Sequence, residues 1–532
     1  MTQPSTRPSW LKTRGYLHIT PKIDVYRQQE EILSKVKNKD FVAKHAFFPL
    51  IHSVIKERKY KTIPGSTDRA HSYKADNGYK KNEKLRPLHY STHIDSMIFG
   101  YYAEMLLGLY ETELNSYEAL AECVTAYRKV GIGDGVENKG KSTIHFANEA
   151  FSEIQQRSQE DDCVVLMFDI KSFFSEIDHN KLHQTWCELL KVKRLDKDHF
   201  NVYKAATKFS YILKDELRLP SNHHTKRNGF DEKKLAFIRR TKGFEAFYES
   251  IEEFRNAVNK REIKVYKHPF TKNKIPVGIP QGLPISAVLA NLYLFPFDLE
   301  VLKEIVYKYK GYYRRYSDDI LIICKLDQYR EIEKFVLKAI LERNVEISSN
   351  KTEIFLFRKF NFSPNVQRLT PIQIIKNKHG DEILYRIGEK PLTYLGFEFH
   401  GNKIQIKSGN LSKFYRRMIY ATKRKANRAF NIAEVNRSQP IIFKRQLKRL
   451  YSILKLTSEK EYTTRKRLVR NHLGEYTTKI IDVKKKFRSN YFTYIQRSAD
   501  NMGEAFNKDA IIKNHKKIFH QALARKIKPK AI

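Results

Sequence analysis

The chain has 532 residues, of which 41% are hydrophobic and 30% charged, so it holds enough apolar surface for a large core and is not a disordered protein. Its formal net charge of +41 indicates a polyanionic partner. The four cysteines form no Cys-x-x-Cys pair, which argues against a zinc ribbon or finger and predicts buried, reduced thiols. The amino terminus lacks an apolar signal-peptide core, and no apolar run approaches the roughly 18 residues of a membrane span, so we expect a soluble cytoplasmic protein with no membrane partner.

The amino-terminal part of the chain shows helical patterns to which no chemistry is assigned. Residues 1–75 are interpreted as an N-terminal extension, with a charged helical pattern from Gln28 to Lys37. From His93 to Leu109 apolar residues recur at helical spacing, which predicts an amphipathic helix that packs against a core.

A buried-strand pattern in Val164–Phe174 ends in the carboxylate of Asp169 and is followed by the two aromatic residues Phe173 and Phe174. After it, Asp178 is predicted to cap a helix whose apolar side faces the core. His179 and His183 lie four residues apart in this helix, a spacing that suits metal ligation. Because no third ligand follows nearby, structural histidines are the favoured interpretation.

Residues 192–270 are rich in charge and are interpreted as an insertion within the surrounding fold rather than as an independent domain. A helix is predicted there from Phe244 to Asn259. The block that follows, Ile275–Leu294, combines a rigid turn rich in Pro and Gly with a mostly apolar helix that can begin at Ser286 or its neighbours. By itself this block is also typical of an ordinary loop that enters a core helix.

The segment Tyr316-Ser317-Asp318-Asp319 lies between two β-prone runs and predicts a hairpin whose tight turn presents two carboxylates. An Asp pair in a turn is most often solvated turn chemistry. Asp169 changes the balance, because a second strand pattern ends in a carboxylate 149 residues before Asp318. Three carboxylates on neighbouring strand ends suit two Mg²⁺ ions about 4 Å apart, which stabilise the attacking and leaving oxygens of a phosphoryl transfer.

The carboxy-terminal quarter of the chain is strongly basic: residues 401–532 hold 34 Lys and Arg against 8 Asp and Glu, a net charge of +26. Basic and aromatic residues alternate in Lys413–Arg417 and Lys484–Phe492, a mixture that can pair with phosphates and stack on bases. We predict nucleic-acid contact by this region, with a solvated Lys-rich face as the alternative. Long basic helices are predicted from Leu411 to Ile432, from Ile441 to Leu456 and from Thr464 to Ser498.

Three blocks, Phe168-Asp169, Pro280-Gln281-Gly282 and Tyr316-x-Asp318-Asp319, resemble in this order the palm motifs of reverse transcriptases. The resemblance covers residues from about 80 to 400, and its palm part is the most specific. Other segments resemble the family's fingers motifs (Leu85–Tyr90 and Ala126–Ser142), its lysine segment near the triphosphate (Ser348–Glu353) and its Leu-Gly-Phe primer-grip hairpin (Leu392–Phe399).

The resemblance implies an α+β right-hand polymerase with fingers, a palm made of an antiparallel sheet with helices, a helical thumb and a helical C-terminal extension. The expected domains are the N-terminal extension at 1–75, the fingers at 76–160 and the palm at 161–405. The palm would contain the fingers/palm insertion at about 192–270, and the basic helical thumb and C-terminal extension would occupy 406–532.

The resemblance also implies a metal centre. Asp169 and Asp318 are the expected ligands of two Mg²⁺ ions, with Mn²⁺ as an alternative, and the backbone carbonyl of Ile170 is expected to join them. Asp319 completes the acidic cluster as a third metal-binding and catalytic carboxylate. Lys351 is the candidate that neutralises or protonates the leaving pyrophosphate, with an ordinary surface lysine as the rival interpretation.

The same resemblance implies contacts to the incoming nucleotide. Phe174 matches the aromatic residue that abuts the sugar 2′ position, where a bulky ring favours deoxynucleotides. The open alternative is that Phe174 is core and Phe173 faces the nucleotide, because strand alternation points the two rings in opposite directions. Gln281 and Gly282 are expected to contact nucleotide and template, and a side chain at Gly282 would obstruct close approach.

The fingers region offers cations for the triphosphate. Arg86 is the candidate that the resemblance selects. Lys80, Lys81 and Lys84 lie close to it in sequence and compete for the same role. The sequence alone therefore leaves the identity of this cation open.

The form Pro-Gln-Gly-Leu-Pro-Ile-Ser-Ala at 280–287 and the predicted helical tail resemble bacterial defence-associated and abortive-infection reverse transcriptases, relatives of the retron and group II intron enzymes. This implies RNA-directed DNA synthesis in antiphage defence, with a noncoding RNA or an RNA template, deoxynucleoside triphosphates and a DNA product. Atypical priming, untemplated synthesis and homo-oligomerisation through the C-terminal helices are left open.

Two other functions compete with this interpretation. One is a nonenzymatic, maturase-like RNA-binding protein on a polymerase scaffold. The presence of all three acids argues against it, because a pure binder needs no metal cluster. The other is a mobile-element reverse transcriptase of group II intron or retron type that copies its own RNA.

Overall fold

The structure is a computed structural model, and it shows a mixed fold of helices and mainly antiparallel sheets, which confirms the predicted α+β class. It describes residues 7–66, 68–75, 78–132, 140–218, 229–364, 366–376, 382–437, 439–441, 444–451, 462–470, 476–484, 490–508, 514–515, 517–522 and 524. Within these ranges, no helix combines the length and the apolar character that a membrane crossing needs.

Fifteen α-helices occur in the described residues, and the predicted helices at Gln28–Lys37 and His93–Leu109 are confirmed as α1 and α3. In chain order they are α1 Gln29–Lys37, α2 Lys39–Lys44, α3 His93–Asn115, α4 Leu120–Cys123, α5 Thr143–Glu160, α6 Phe173–Glu176, α7 His179–Leu190, α8 Lys197–Thr207, α9 Glu232–Lys242, α10 Ile251–Asn259, α11 Ser286–Val301, α12 Tyr329–Leu341, α13 Ser408–Val435, α14 Lys444–Tyr451 and α15 Tyr491–Met502. A π-helix, Leu302–Lys308, extends α11, and short 3₁₀ helices lie at Ser349–Lys351 and Gly503–Ala505.

The strands of the described residues form several small sheets and one larger group. In chain order they are β1 Leu50–Arg58, β2 Lys61–Thr62, β3 Arg69–Ala70, β4 Ser72–Ala75, β5 Gly78–Lys81, β6 Glu83–Tyr90, β7 Cys163–Asp169, β8 Tyr211–Leu213, β9 Thr271–Lys272, β10 Ile275–Pro276, β11 Tyr312–Tyr316, β12 Asp319–Lys325, β13 Glu353–Ser363, β14 Val366–Lys376, β15 Glu382–Tyr385, β16 Leu392–Tyr394, β17 Phe397–Phe399, β18 Ile404–Ile406, β19 Tyr462–Arg470 and β20 Tyr476–Lys484.

The chain divides into two compact units. The first consists of residues 1–128 and 166–352, and the second of residues 129–165 and 353–532. The division falls inside β7, so this strand carries the chain from the second unit back into the first.

The first unit holds the neighbouring strands β11, β12 and β7, in that order. β11 and β12 pair antiparallel up to the partners Tyr316 and Asp319, which confirms the predicted hairpin. The predicted buried strand is also confirmed and ends at Asp169, whereas the strand alternation expected for Phe173 and Phe174 is wrong, because both lie in a helical turn. Ser172 adopts a left-handed conformation with φ +47°, which turns the chain out of the strand and into the helical turn α6.

A second sheet of the first unit, in the order β6-β1-β8, joins the N-terminal residues to the predicted insertion. Ile19, Ile51 and Ile212 pack with Phe247 and Phe254 in one buried hydrophobic cluster. Residues of the predicted insertion therefore share a hydrophobic cluster with the amino-terminal part of the chain.

The helix predicted from Phe244 begins seven residues later, at Ile251. The Ser250 hydroxyl accepts a hydrogen bond from the Glu253 amide at 3.1 Å and so caps the first turn. The predicted start is wrong because apolar residues before the cap, among them Phe247, are buried in the cluster without being helical.

The second unit holds the antiparallel group β13-β14-β15, the small sheet β16-β17-β18 and the helices α5 and α13 to α15. The predicted helix Leu411–Ile432 is confirmed within α13. Of the helix predicted from Ile441 to Leu456, the structure describes α14, and residues 452–456 lie outside the described part. The Leu-Gly-Phe segment forms the hairpin of β16 and β17, with Gly396 at φ +93° in its turn.

The single helix predicted from Thr464 to Ser498 is wrong. Of the described residues in that range, 464–470 and 476–484 belong to the antiparallel strands β19 and β20, and residues 491–498 belong to α15, which begins only at Tyr491. Both strands are rich in Thr, Val, Ile and Tyr, whose branched or aromatic side chains favour strands over helices. Much of the basic segment Lys484–Phe492 lies outside the described residues.

The four cysteines are buried as free thiols, as predicted from their spacing. Burial raises the pKa of the Cys123 thiol to about 12 and that of Cys163 to about 11, so both are protonated near neutral pH. These two thiols are therefore inert core groups rather than nucleophiles or metal ligands.

Three buried histidines of the first unit make its stability sensitive to acid. Burial lowers the pKa of His18 and His89 to about 3 and that of His93 to about 4, below the ordinary value of 6.5. Between pH 6.5 and about 4 the unfolded chain binds protons that the folded chain rejects, so stability falls as the pH falls. For each histidine we expect the loss to approach about 1.4 kcal/mol per pH unit once the pH is well below 6.5, measured by denaturant unfolding between pH 6 and 5.

His93 provides the control for this acid dependence, because its ring stacks on Tyr16 and both ring nitrogens lack hydrogen-bond partners among the described residues. His93→Phe keeps the stacked ring and removes the titrating group. The variant should lose stability more slowly with falling pH, by about 1.4 kcal/mol per pH unit. An unchanged slope would show that His93 is not a source of the acid sensitivity.

Candidate active site

Backbone hydrogen bonds bring the segments that carry the predicted acids together. The Ile170 amide, next to Asp169, donates to the Asp318 carbonyl at 3.0 Å. The Asp169 carbonyl in turn accepts from the Ser348 amide at 2.8 Å, three residues before Lys351. The end of β7, the hairpin turn and the lysine segment therefore meet at one point of the first unit.

The side chains of Lys351 and of the three acids lie at this junction of the backbone segments. The Lys351 ammonium forms an ion pair with the Asp169 carboxylate, and the two side chains are 52% and 21% exposed. Asp318 and Asp319 are both half-buried, Asp318 in the turn and Asp319 at the first position of β12. An exposed lysine that pairs with a carboxylate can exchange this partner for a phosphate, because the ion pair is open to solvent.

A fully buried ion pair, Arg315 with Asp298, stabilises the turn between Tyr316 and Asp319. Nε of Arg315 donates to Asp298 Oδ1 at 2.7 Å, and Nη2 donates to Oδ2 at 2.5 Å. Nη1 of the same guanidinium donates to the carbonyl of Ser317, at 3.2 Å. Ser317 has the left-handed φ of +62° that the two-residue turn requires, so Arg315 fixes the backbone of the turn that carries the acids.

Further buried groups satisfy the rest of this network. The Asn291 side-chain oxygen accepts from Arg315 at 3.2 Å, while its amide donates to the Ala126 carbonyl at 2.9 Å. The Arg315 carbonyl accepts from the Thr125 amide at 3.0 Å, and the Tyr313 hydroxyl donates to Asp298 at 2.7 Å. Buried polar groups with complete partners rigidify a site.

The pKa of Arg315 is raised in this network in spite of the burial of its guanidinium. Burial alone would lower the pKa of the Arg315 guanidinium, but the Asp298 charge and its hydrogen bonds raise it above the ordinary value. Arg315 thus stays charged, and we read it as a positioning residue of the turn. Sequence reasoning missed the pair, although Arg315 and Tyr313 alternate along β11 with the inward burial pattern of a strand.

The Pro-Gln-Gly loop is held between two other parts of the site. The Ile279 amide donates to the Phe174 carbonyl at 2.7 Å, and the Gln281 carbonyl accepts from the His89 amide at 2.8 Å. Gly282 has φ +115°, and a Cβ there would lie 2.7 Å from the His89 carbonyl oxygen. The close approach that requires this glycine is therefore to β6 of the same chain, whatever else the loop contacts.

The two adjacent aromatic residues after Asp169 differ in exposure. Phe173 is buried, with its ring centroid 6.3 Å from that of Tyr293, whereas Phe174 is half-buried. They lie in the helical turn α6, so the expected strand alternation does not apply, but the two rings still differ in environment. Phe173 therefore belongs to the core, and Phe174 is the more exposed of the two rings.

Two cations of β6, Arg86 and Lys84, have different charged groups near them. Arg86 lies 3.5 Å from the Glu57 carboxylate, which is its partner in this structure. The pKa of Lys84 is lowered by burial and by the charges of Arg86 and Lys351, while Asp169 and Asp318 oppose the shift. Lys84 therefore lies in the electrostatic field of the two acids, and it is the fingers-region cation that the sequence ranked below Arg86.

The described residues include no group of three or more Asp, Glu, His or Cys side chains arranged so that they could hold a metal ion. Here Lys351 pairs with the Asp169 carboxylate. The donor chemistry of Asp169 and Asp318 still fits a hard divalent cation, because two carboxylates share one backbone junction. His179 donates to the Gly278 carbonyl at 2.8 Å, consistent with the structural role favoured from the sequence.

Residues 228–399 match the family model described as reverse transcriptase (RNA-dependent DNA polymerase). The chain contains a reverse transcriptase domain. The matched range includes the Pro-Gln-Gly loop, the Asp-Asp turn and Lys351, whereas Asp169 lies before it and is joined to the domain by the contacts described above.

Among solved structures, the chain is similar to telomerases from two Candida species, and it spans about half of their length. For apo telomerase from Candida tropicalis truncated from its C-terminal domain, the identity is 9% over 61% of this chain and 52% of that chain, with a TM-score of 0.34. For telomerase from Candida albicans in complex with the TWJ fragment of telomeric RNA, the corresponding values are 11%, 74%, 54% and 0.33. No curated protein matches the chain.

Proposed function

We propose that this chain is an RNA-directed DNA polymerase whose reverse transcriptase domain joins deoxynucleotides at Asp169, Asp318 and Asp319. The observation that carries the proposal is the 3.0 Å hydrogen bond from the Ile170 amide to the Asp318 carbonyl. It unites two acids that are 149 residues apart in sequence. Carboxylates at such a junction suit the in-line displacement of pyrophosphate by a primer hydroxyl.

The proposed roles follow from the charges of the site. Asp169, Asp318 and the Ile170 carbonyl would hold divalent cations, for which we propose two Mg²⁺ ions, with Mn²⁺ as the alternative, and Asp319 would complete the acidic cluster. Such ions, which reverse transcriptase domains generally use, supply activation of the primer hydroxyl and neutralisation of charge on pyrophosphate. Lys351 would leave Asp169 to contact the triphosphate.

Three further groups are proposed to position the nucleotide. Lys84 would supply positive charge from β6, and Arg86 would join it after leaving Glu57. Gln281 would contact the nucleotide and template beside Gly282, because its carbonyl fixes the loop to β6. Charge placed in advance around a reacting phosphate costs no reorganisation during the reaction.

Phe174 is proposed to select deoxynucleotides, because the half-buried ring would clash with a ribose 2′-hydroxyl. Phe174→Ala should lower the preference for deoxynucleotides over ribonucleotides by at least about tenfold, the equivalent of about 1.4 kcal/mol. The measurement is kcat/KM for both nucleotides on one primed RNA template. Phe173→Leu changes the adjacent buried ring and should keep the wild-type preference. Equal preferences in wild type and Phe174→Ala would remove this assignment.

The biological role that we propose is antiphage defence with a noncoding RNA partner. It is supported by the resemblance of residues 280–287 to defence-associated enzymes. Cells that carry the wild-type chain should resist phage, and cells with Asp318→Asn and Asp319→Asn together should not. Full protection by the double variant would instead favour a nonenzymatic RNA-binding role, and the absence of protection by the wild type would favour a mobile element.

A further inference from the structure

A pocket of about 570 Å³ opens in the second unit, beside α13, the end of α14 and the start of α15. α13 contributes Asn410, Lys413, Phe414 and Arg417, a spacing that places all four on one face of the helix. Tyr491 lies across from them, at the first position of α15. The volume falls within the range of about 300–1,000 Å³ that is usual for ligand sites.

Aromatic rings form one side of this pocket. The rings of Phe414 and Tyr491 are stacked, with centroids 4.3 Å apart and planes inclined by 18°. Tyr494, one helical turn further along α15, is inclined by 26° to Tyr491 at 6.3 Å. Such rings offer apolar surface to a flat ligand, and nucleic-acid bases stack on surfaces of this kind in a sequence-tolerant way.

Tyr491 also carries an unused polar group. Its hydroxyl is buried and has no hydrogen-bond partner among the described residues. Buried hydroxyl groups without partners are uncommon in folded proteins, because burial removes their hydrogen bonds to water and no protein group replaces them. If the Tyr491 ring turns towards the pocket, a ligand with a hydroxyl or amide group there would supply the missing partner.

The charge of the lining excludes cationic ligands. Lys413 and Arg417 are the charged residues of the described lining, and no Asp or Glu is among them. Both belong to the basic region 401–532 with its net charge of +26. Cations that lie beside aromatic rings suit a ligand that combines a phosphate with a base.

We propose that this pocket binds one unpaired nucleotide of a single-stranded RNA, with the base against Tyr491 and Tyr494 and the phosphate on Lys413 and Arg417. A paired base is stacked within its duplex and could not enter a pocket of this size. RNA is chosen over DNA because its 2′-hydroxyl, both donor and acceptor, can pair with the Tyr491 hydroxyl. The choice of RNA rests on the proposed RNA-directed function.

The test compares neighbouring arginines of α13 in the full chain. Arg417 lines the pocket, whereas Arg416 lies next to it, is equally an exposed cation, and is not part of the lining. We expect Arg417→Gln to weaken binding of a single-stranded RNA oligonucleotide about tenfold, and Arg416→Gln to weaken it no more than about twofold. A fully paired duplex of the same sequence should not distinguish the two variants.

A second measurement keeps the proposal testable if a variant folds poorly. Single-stranded RNA that carries 5-iodouridine should crosslink on irradiation to Tyr491 or Tyr494 of the wild-type chain, located by mass spectrometry of the digested protein. Tyr491→Phe keeps the stacked ring and should bind RNA a few-fold more weakly while leaving affinity for DNA of the same sequence unchanged.

Three results would overturn the proposal. Equal losses in Arg416→Gln and Arg417→Gln would show a general charge effect. A crosslink only outside residues 410–417 and 490–494 would place the strand elsewhere. Equal sensitivity of single-stranded DNA to Tyr491→Phe would assign the pocket to a DNA strand. Deoxynucleotide incorporation by the wild type is measured in parallel, so that failure of the pocket is distinguished from failure of the polymerase function.

Discussion

Asp318→Asn should reduce deoxynucleotide incorporation by at least about 1,000-fold, which corresponds to about 4 kcal/mol of transition-state stabilisation. The variant removes a charge at the junction with Asp169 and keeps the shape of the side chain. Asp318 would help to hold a divalent cation, and neutralisation by such a cation of the negative charge that develops in phosphoryl transfer is worth several kcal/mol. The measurement is single-turnover incorporation on a primed RNA template.

Asp327→Asn is the matched control for this variant. Asp327 is exposed and lies two residues beyond the far end of β12, so the same chemical change is made close in sequence but away from the junction. It should leave incorporation within about twofold of the wild type, since exposed substitutions rarely alter a distant site. Comparable activity in Asp318→Asn and Asp327→Asn would mean that the hairpin turn is not the catalytic centre.

Asp298→Asn should lower the free energy of unfolding by about 3–5 kcal/mol, because it leaves the Arg315 guanidinium buried without a counter-charge. The measurement is denaturant unfolding of the full chain. The exposed pair of Arg239 and Glu245 is the control, and Glu245→Gln should cost less than about 1 kcal/mol. A cost of under about 1 kcal/mol for Asp298→Asn would contradict the proposed importance of the buried pair.

A double variant separates stability from positioning at this pair. Asp298→Leu with Arg315→Met removes both buried charges, so it should be more stable than Asp298→Asn alone. It also removes the donor to the Ser317 carbonyl, and we expect incorporation to stay at least about tenfold below the wild type, roughly 1.4 kcal/mol. The KM for the nucleotide should change less than kcat, because the turn carries the acids rather than the nucleotide contacts. Full activity of the double variant would show that Arg315 only stabilises the fold.

The sequence predicts the local elements of the site well, because periodicity and turn chemistry act over short distances. The hairpin that carries Asp318 and Asp319 and the buried strand that ends at Asp169 are both confirmed. Strand alternation beyond Asp169 is wrong, because a single left-handed residue, Ser172, ends the strand. A backbone reversal of this kind leaves no periodic signal in the side chains.

Long-range partners could not be predicted in the same way. The partner of Arg315 is Asp298, 17 residues earlier in an apolar helix, and nothing in the local pattern of either residue points to the other. The pairing of Arg86 with Glu57, on the neighbouring strand, could not be predicted from the local pattern either. The strands β19 and β20 were not predicted because Lys and Arg, which favour helix, are interspersed in these segments with Thr, Val and Ile, which favour strand.

The most direct test of the polymerase function is sequencing of the nucleic acid that copurifies with the chain after deoxynucleotides are added. The wild type is compared with the variant that carries Asp318→Asn and Asp319→Asn. We predict a defined RNA with both proteins and new DNA complementary to it with the wild type alone. RNA without new DNA in either sample, or the same DNA in both, would contradict RNA-directed synthesis at these acids.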